Sequence, residues 1–325
     1  MRATSLVVRW SKKAATYVAV FFLSLVSSQS GLTEEASSRL NPAICERSES
    51  TRQAMLEMDR IINSDAALDS YLDLFSPSIE AWGLLPERAA SWREVENHYK
   101  PVFGNFDRSI LVSDEVIVAD RFAAQRYHAM FYLSGEFDGV QANEKKTFIR
   151  GSTVFKFDNS GLIQERWSDH DHKFRLSQLL STSDEIESAI ERARVLSGPG
   201  LTVEQIQERM DSMQIAFNQM HNPKRRLVML SELLSEMWPE RQLWIGKLQT
   251  FFEIMPDAHL AYDAVVAAWS RVGIRWRITG SVRGKHELFP YRDQPISLTG
   301  ETILEINDTG QVTALHEGCV VLRKI

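Results

Sequence analysis

The sequence predicts an α+β fold built twice, two tandem units that each open with helices and close with an antiparallel meander of strands. Three observations predict it. Helical periodicity in the first half gives way to β-branched and aromatic runs, a Gly/Pro cluster divides the chain, and the second half repeats the first at a constant offset. At 325 residues each half is long enough to close its own core.

The first helix is marked by Met55, Met58, Ile61 and Ile62 at three-to-four spacing. Ser64 or Asp65 can cap a second, carrying Leu68, Leu72 and Phe75 and stopped by Pro77. Ser91 with Glu94 makes a capping box for a third, running through Val95 towards Pro101. The period then changes to that of strands, at Ile110–Val118, Phe122–Leu133 and Thr147–Phe157. Asp158-Asn159-Ser160-Gly161 is a turn, and Leu162–Asp171 is the closing strand. A charged helix over Asp184–Leu196 ends in Ser197-Gly198-Pro199-Gly200, the clearest boundary in the chain. Beyond it Thr202 and Gln205 cap a helix with an apolar stripe of Val203, Ile206, Met210, Met213, Phe217 and Met220, read as core packing.

Shifted by 149 residues without gaps, Phe103 meets Phe252, Leu111 meets Leu260, Asp114 meets Asp263 and Arg126 meets Arg275. Gly151 likewise meets Gly300, Thr153 meets Thr302 and Gly161 meets Gly310. The identities fall on glycines and strand residues, where backbone geometry restricts the choice. The resulting division is a signal peptide at 1–28, a first unit at 45–182, a helical linker at 183–201 and a second, degenerate unit at 202–325.

The leading segment reads as a targeting signal. Arg2, Arg9, Lys12 and Lys13 precede the uncharged stretch Ala14–Val26, and Val26 and Ser28 suit a cleavage site. The stretch is shorter than the roughly 20 residues a spanning helix needs, so the expected location is periplasmic or secreted, with an uncleaved anchor as the alternative. Cys45 and Cys319 can form a disulfide clipping the ends together in an oxidising compartment, or stand as separate buried thiols. A net charge of −6 leaves no basic footprint for nucleic acid.

The run from Phe148 to Phe157, then Gly161-Leu162-Ile163 and Glu165-Arg166-Trp167, resembles the closing hairpin of SnoaL-like domains of the nuclear transport factor 2-like superfamily. In the second half the match is Met255-Pro256-Asp257, Arg275-Trp276, Thr279-Gly280, Leu298-Thr299-Gly300 and Gly310-Gln311-Val312. The resemblance implies two tandem cone-shaped α+β barrels, each a curved antiparallel sheet with helices closing a pocket. For the cyclases among such domains it implies ring closure of an ester without cofactor or metal, the proton being moved by a carboxylate near the end of the final strand. Asp171 stands at the matching position.

Regular strand parity would place Ile163, Glu165, Trp167, Asp169 and Asp171 on one face, with Trp167 as apolar wall and Asp171 at the rim. Asp171 suits general acid–base catalysis or, equally, the cap of a helix at Phe174–Leu180. His128, on one strand face with Arg126, Met130 and Tyr132, is a candidate acid or oxyanion partner, or simply a hydrogen-bonded strand histidine. Arg126, Tyr132 and Trp167 are candidate ligand contacts, and the resemblance implies Trp82 at the pocket mouth, with core packing as the equal alternative. Trp167 becomes His316 and Asp171 becomes Val320 in the second half, so any catalysis is expected in the first.

His170 and His172 could share a metal with a carboxylate from elsewhere, or form a solvated strand end; the expectation adopted is no metal and no cofactor. No G-x-S-x-G, P-loop or G-x-G-x-x-G motif is present. Three functions stay open: a cofactor-free cyclase or isomerase acting on a small carbonyl or ester compound, a non-catalytic binder of an apolar small molecule, and an interaction module that forms a homo-oligomer or an internal pseudo-dimer.

Overall fold

The computed structural model describes residues 38–170 and 201–325, apart from 65–66, 83–90, 105, 134–135, 138–139, 142–145, 220–222, 285–288 and 290–292, and between the two blocks only 177–178, 184–185 and 188. The signal segment, most of the linker helix and its Gly/Pro break lie outside the described residues.

Strand β1 (Ser38–Arg39) leads into helix α1 (Pro42–Ile62), whose start combines Pro42 in the first turn with an Asn41 side chain that accepts from Ile44 N at 3.1 Å. Its buried stripe of Cys45, Ser48, Thr51, Met55, Met58 and Ile61 recurs every three or four residues. Helix α2 (Ala67–Leu72), strand β2 (Phe75–Trp82) and helix α3 (Trp92–Gly104) follow. Then come β3 (Phe106–Ala119), β4 (Phe122–Leu133), a two-residue pair β5 (Glu136–Phe137) and β6 (Val140–Gln141), β7 (Lys146–Phe157) and β8 (Ile163–His170). The second half contains α4 (Val203–Phe217), α5 (Pro223–Glu232), α6 (Arg241–Ile254), β9 (His259–Ala268), β10 (Arg271–Ser281), β11 (Pro295–Ile306) and β12 (Val312–Lys324).

Two expectations are corrected. Phe75 and Pro77 begin a strand rather than ending a helix. Proline is tolerated there because β2 is an edge strand and its pairing with β8 is irregular between Phe75 and Glu80. Helix α3 does start at the Ser91 cap, Glu94 N donating to Ser91 Oγ at 3.3 Å, but it continues past Pro101 to Gly104.

The strands form two open five-stranded sheets, in the orders β2-β8-β7-β4-β3 and β1-β12-β11-β10-β9. The fold is α+β with antiparallel-rich sheets, and neither sheet closes into a barrel. Their registers coincide at the predicted offset. Val116 pairs with Gln125 as Val265 pairs with Ile274, and Thr153 pairs with Ser168 as Thr302 pairs with Glu317. Even the irregularities match: Asp114 and Asp263 are each skipped in the ladder, and the last pairing breaks at Phe157 and again at Ile306. The tight turns match as well, with Asp120 at φ 52 and Trp269 at φ 54.

Each sheet has an inner face under its helices and an outer face, and the outer faces pack together. Ile117, Ala119, Phe122, Ala124, Val154 and Trp167 meet Val266, Ala268 and Ile303 in one apolar seam. A Cβ on Gly273 would lie 2.5 Å from that of Ala124, its counterpart in the first sheet, so glycine permits the closest approach. Phe122 stacks on His316 at 4.0 Å, and Arg271 lies 4.4 Å over Trp167. Helix α1 straddles the seam: Arg52 pairs with Glu301 at 2.7 Å, and a Cys45–Cys319 disulfide ties α1 to β12. The cysteines therefore pair. Strand β1 completes the second sheet, Ser38 opposite Leu322.

Candidate functional site

The second half encloses a cavity of about 910 Å³ including its mouth. Its floor is the inner face of the sheet: Tyr262 on β9, Ile274, Trp276 and Ile278 on β10, Thr302 and Leu304 on β11, and Leu315, Glu317 and Val320 on β12. Its roof is helical, with Met213 and Phe217 from α4, Leu230 from α5, Trp244 and Leu248 from α6, and Trp238 between helices. The α4 apolar stripe packs into the core through Ile206, Met210 and Phe217, and its end, Met213 and Phe217, also lines the cavity. The apolar lining suits the body of an apolar small molecule.

Local sequence explains the shape. A Cβ on Gly300 would lie 2.5 Å from the Trp276 ring, so only glycine lets that indole lie across β11, where its Nε1 donates to Thr302 Oγ1 at 2.9 Å. In β12 the pairing jumps from Glu317 opposite Thr302 to Val320 opposite Gly300. The bulge keeps Leu315, Glu317 and Val320 all on the inner face, although 317 and 320 differ in parity.

Among the described residues the Glu317 Oε1 and the Tyr262 hydroxyl in this lining have no hydrogen-bond partner. Burial pushes the Glu317 carboxyl up to about 8, with the Lys247 ammonium opposing and Glu240 adding to the rise. Burial also raises the Tyr262 phenol and holds Lys247 below the usual lysine value. At neutral pH the site therefore presents a largely protonated carboxyl and a neutral phenol in apolar surroundings, groups able to donate to a ligand oxygen. Close to its own pKa such a carboxyl gives and takes protons readily. Among the described residues no group of three or more His, Cys, Asp or Glu side chains could hold a metal.

No protein-family model matches the chain. No curated protein matches it. Solved structures do. The chain is similar to SnoaL-like polyketide cyclases and to nuclear transport factor 2-like proteins. A candidate SnoaL-like polyketide cyclase from Jannaschia sp. CCS1 is 14% identical, with 48% of this chain and 99% of that one covered and a TM-score of 0.37. TsrD from Streptomyces laurentii is 18% identical, covering 40% and 95%, with a TM-score of 0.35. A nuclear transport factor 2-like protein of unknown function from Burkholderia pseudomallei K96243 is 14% identical, covering 41% and 98%, with a TM-score of 0.34. Each likeness spans less than half of this chain.

Of the site residues expected from sequence, the described ones, Trp82, Arg126, His128, Tyr132 and Trp167, do not line this cavity. Asp171 and His172 lie outside the described residues. Trp167 is not on the inner face: the ladder breaks between Ile163 and Glu165, so Ile163 packs in the first core while Trp167 turns into the seam, stacked on Trp82 at 5.1 Å. One irregular pairing reverses the parity of all that follows. On β4 the residues that sink under the helices are Ala123, Gln125, Tyr127 and Ala129, so Arg126, His128 and Tyr132 occupy the outer face. There His128 Nδ1 meets the bulge carboxylate of Asp114 at 2.9 Å. The structure brings Trp82 and Trp167 together, and among the described residues it places Arg126, His128 and Tyr132 apart from them along the outer face of β4.

Sequence reasoning missed Glu317 and Tyr262. The available signal was the repeat itself, which puts Glu317 at the position of Ser168, and Tyr262 at that of Ser113, facing inward.

Proposed function

We propose that the protein binds an apolar small molecule carrying a carbonyl or ester oxygen in the second-half cavity, and that Glu317 exchanges a proton with it in a cofactor-free isomerase- or cyclase-type reaction. The observation that carries this reading is a carboxyl raised to about 8, with no hydrogen-bond partner for its Oε1 among the described residues, on the wall of an apolar cavity. A perturbed acid in a cleft is costly to maintain and is a mark of chemistry. Glu317 would protonate the substrate oxygen or carry a proton between carbons, while the Tyr262 hydroxyl would donate to the same oxygen. The apolar lining alone equally serves a carrier.

Two related proposals stand beside it. The matched registers and bulges support a tandem duplication whose halves form an internal pseudo-dimer through their outer faces. The disulfide supports function in an oxidising compartment, in keeping with the leader-like N-terminus. Among the described residues no helix is long and apolar enough to cross a membrane.

Native mass spectrometry of protein from an exporting host tests the site. A bound small molecule is expected, lost in Trp276→Ala and kept in Trp167→Ala. Glu317→Gln is then expected to abolish conversion of that molecule while changing its affinity less than about tenfold. A molecule returned chemically unchanged by wild-type protein would favour the carrier, and one lost only in Trp167→Ala would sink the site.

A further inference from the structure

The inner face of the first sheet carries a different set of groups at the same positions. Because Thr153–Ser168 and Thr302–Glu317 are equivalent pairs, Arg166 stands where Leu315 stands, and Tyr127 where Trp276 stands. Both second-half residues line the cavity. Arg166 is only 7% exposed. Its Nη1 donates to the Tyr99 hydroxyl, which lies 3.4 Å from that of Tyr71. Its guanidinium carbon sits 5.6 Å from the centre of the Tyr99 ring and 5.9 Å from that of Phe155. Its Nε has no acceptor.

Among the described residues no carboxylate pairs with this guanidinium. An acid elsewhere in the first half, Asp59 on α1, is engaged by the Ser113 hydroxyl and, at 3.0 Å, by Gln125 Nε2. Neutral phenols surround the cation: burial raises the Tyr99 phenol well above its ordinary value, and the Arg166 guanidinium stays ionised. A buried cation whose hydrogen-bond partner among the described residues is a phenol oxygen is unfavourable unless an anion completes it. The second half, with leucine at this position, has no such requirement.

We infer that the first half holds a second ligand site, for a small monocarboxylate, with Arg166 as its anchor. The charge fixes the class. One carboxylate neutralises one guanidinium and can accept from it and from a phenol at once. A phosphate dianion would leave excess negative charge, and a neutral ligand would leave the cation uncompensated. The flanking Phe155, Phe75 and Tyr71 rings favour an aromatic or aliphatic body on the carboxylate.

Benzoate, with benzamide as its uncharged counterpart, tests this by calorimetry and thermal shift on the full chain. Benzoate is expected to bind saturably and raise the melting temperature, and benzamide is not. Arg166→Met, which keeps the side-chain volume, should weaken benzoate at least about thirtyfold. Tyr99→Phe retains the packing and should weaken it about fivefold; this variant decides the matter if Arg166→Met does not fold. Trp276→Ala should leave benzoate binding unchanged, separating this site from the second-half cavity. The inference is overturned by no benzoate response, by an equal response to sodium chloride, by retained affinity in the folded variants at 166 and 99, or by loss in Trp276→Ala alone.

Discussion

The two halves of this protein share a backbone and differ in what they place under their helices. In the second, the inner face is Ile274, Trp276, Leu304 and Leu315 around one carboxyl, Glu317, and it bounds an apolar cavity. In the first, the equivalent positions are Gln125, Tyr127, Phe155, Arg166 and Ser168, and hydroxyls, an amide and a guanidinium take much of the interior. The outer faces changed less, since each still supplies small and branched apolar residues to the common seam. Strand register is set by backbone pairing and bulges, which tolerate new side chains. The inner faces can therefore differ between the halves, while close packing restricts the residues of the seam.

The largest expected effect sharpens the distinction between faces. Trp167, 4% exposed in the seam, should destabilise the chain by about 3–5 kcal/mol when changed to Ala, measured by chemical denaturation. A negligible loss would mean that the seam does not tie the halves together.

The next concerns Glu317, where the first half has Ser168. Its carboxyl titrates near 4.5 when unfolded and near 8 when folded, so below about pH 4.5 both states hold the proton. As pH rises from 4.5 towards 8 the unfolded chain releases it first, and stability falls, by roughly 3 kcal/mol at pH 7. Glu317→Gln should remove that slope. A variant with the wild-type profile would show that the cavity is wet and its carboxyl ordinary.

The smallest separates equivalent arginines. Arg275 bonds Glu301 at 2.8 Å and Glu115 at 2.7 Å across the seam, and Arg275→Gln should cost about 1 kcal/mol, less at high salt. Arg126, its counterpart, is exposed and has Ala264 where Arg275 has Glu115, so Arg126→Gln should stay within about 0.5 kcal/mol. Equal losses would make the seam symmetric.

The sequence by itself determined that three helices come before the meander β3, β4, β7 and β8, the caps at Ser91 and Thr202, the limits of β4 and the offset of the repeat, because these depend on local periodicity and on glycine or aspartate at special backbone positions; strand β2 between the helices was not legible in it. Asp114 and Asp263 repeat because each sits at a bulge, and Gly300 repeats Gly151 at a position that in the second half lies against an inner-face aromatic ring. Only the tertiary structure decided which face of each strand looks inward. A skipped pairing near Gln164 turned Trp167 outward, and the bulge after Glu317 kept Val320 inward. Parity counted along a sequence carries no record of such slips. Nor could spacing show that cysteines at positions 45 and 319 meet, which required two sheets to pack back to back with α1 across their seam. The cavity is of the same kind: its polar groups are adjacent only because α4–α6 and four strands converge on one volume, and the burial that raises Glu317 exists only after they do.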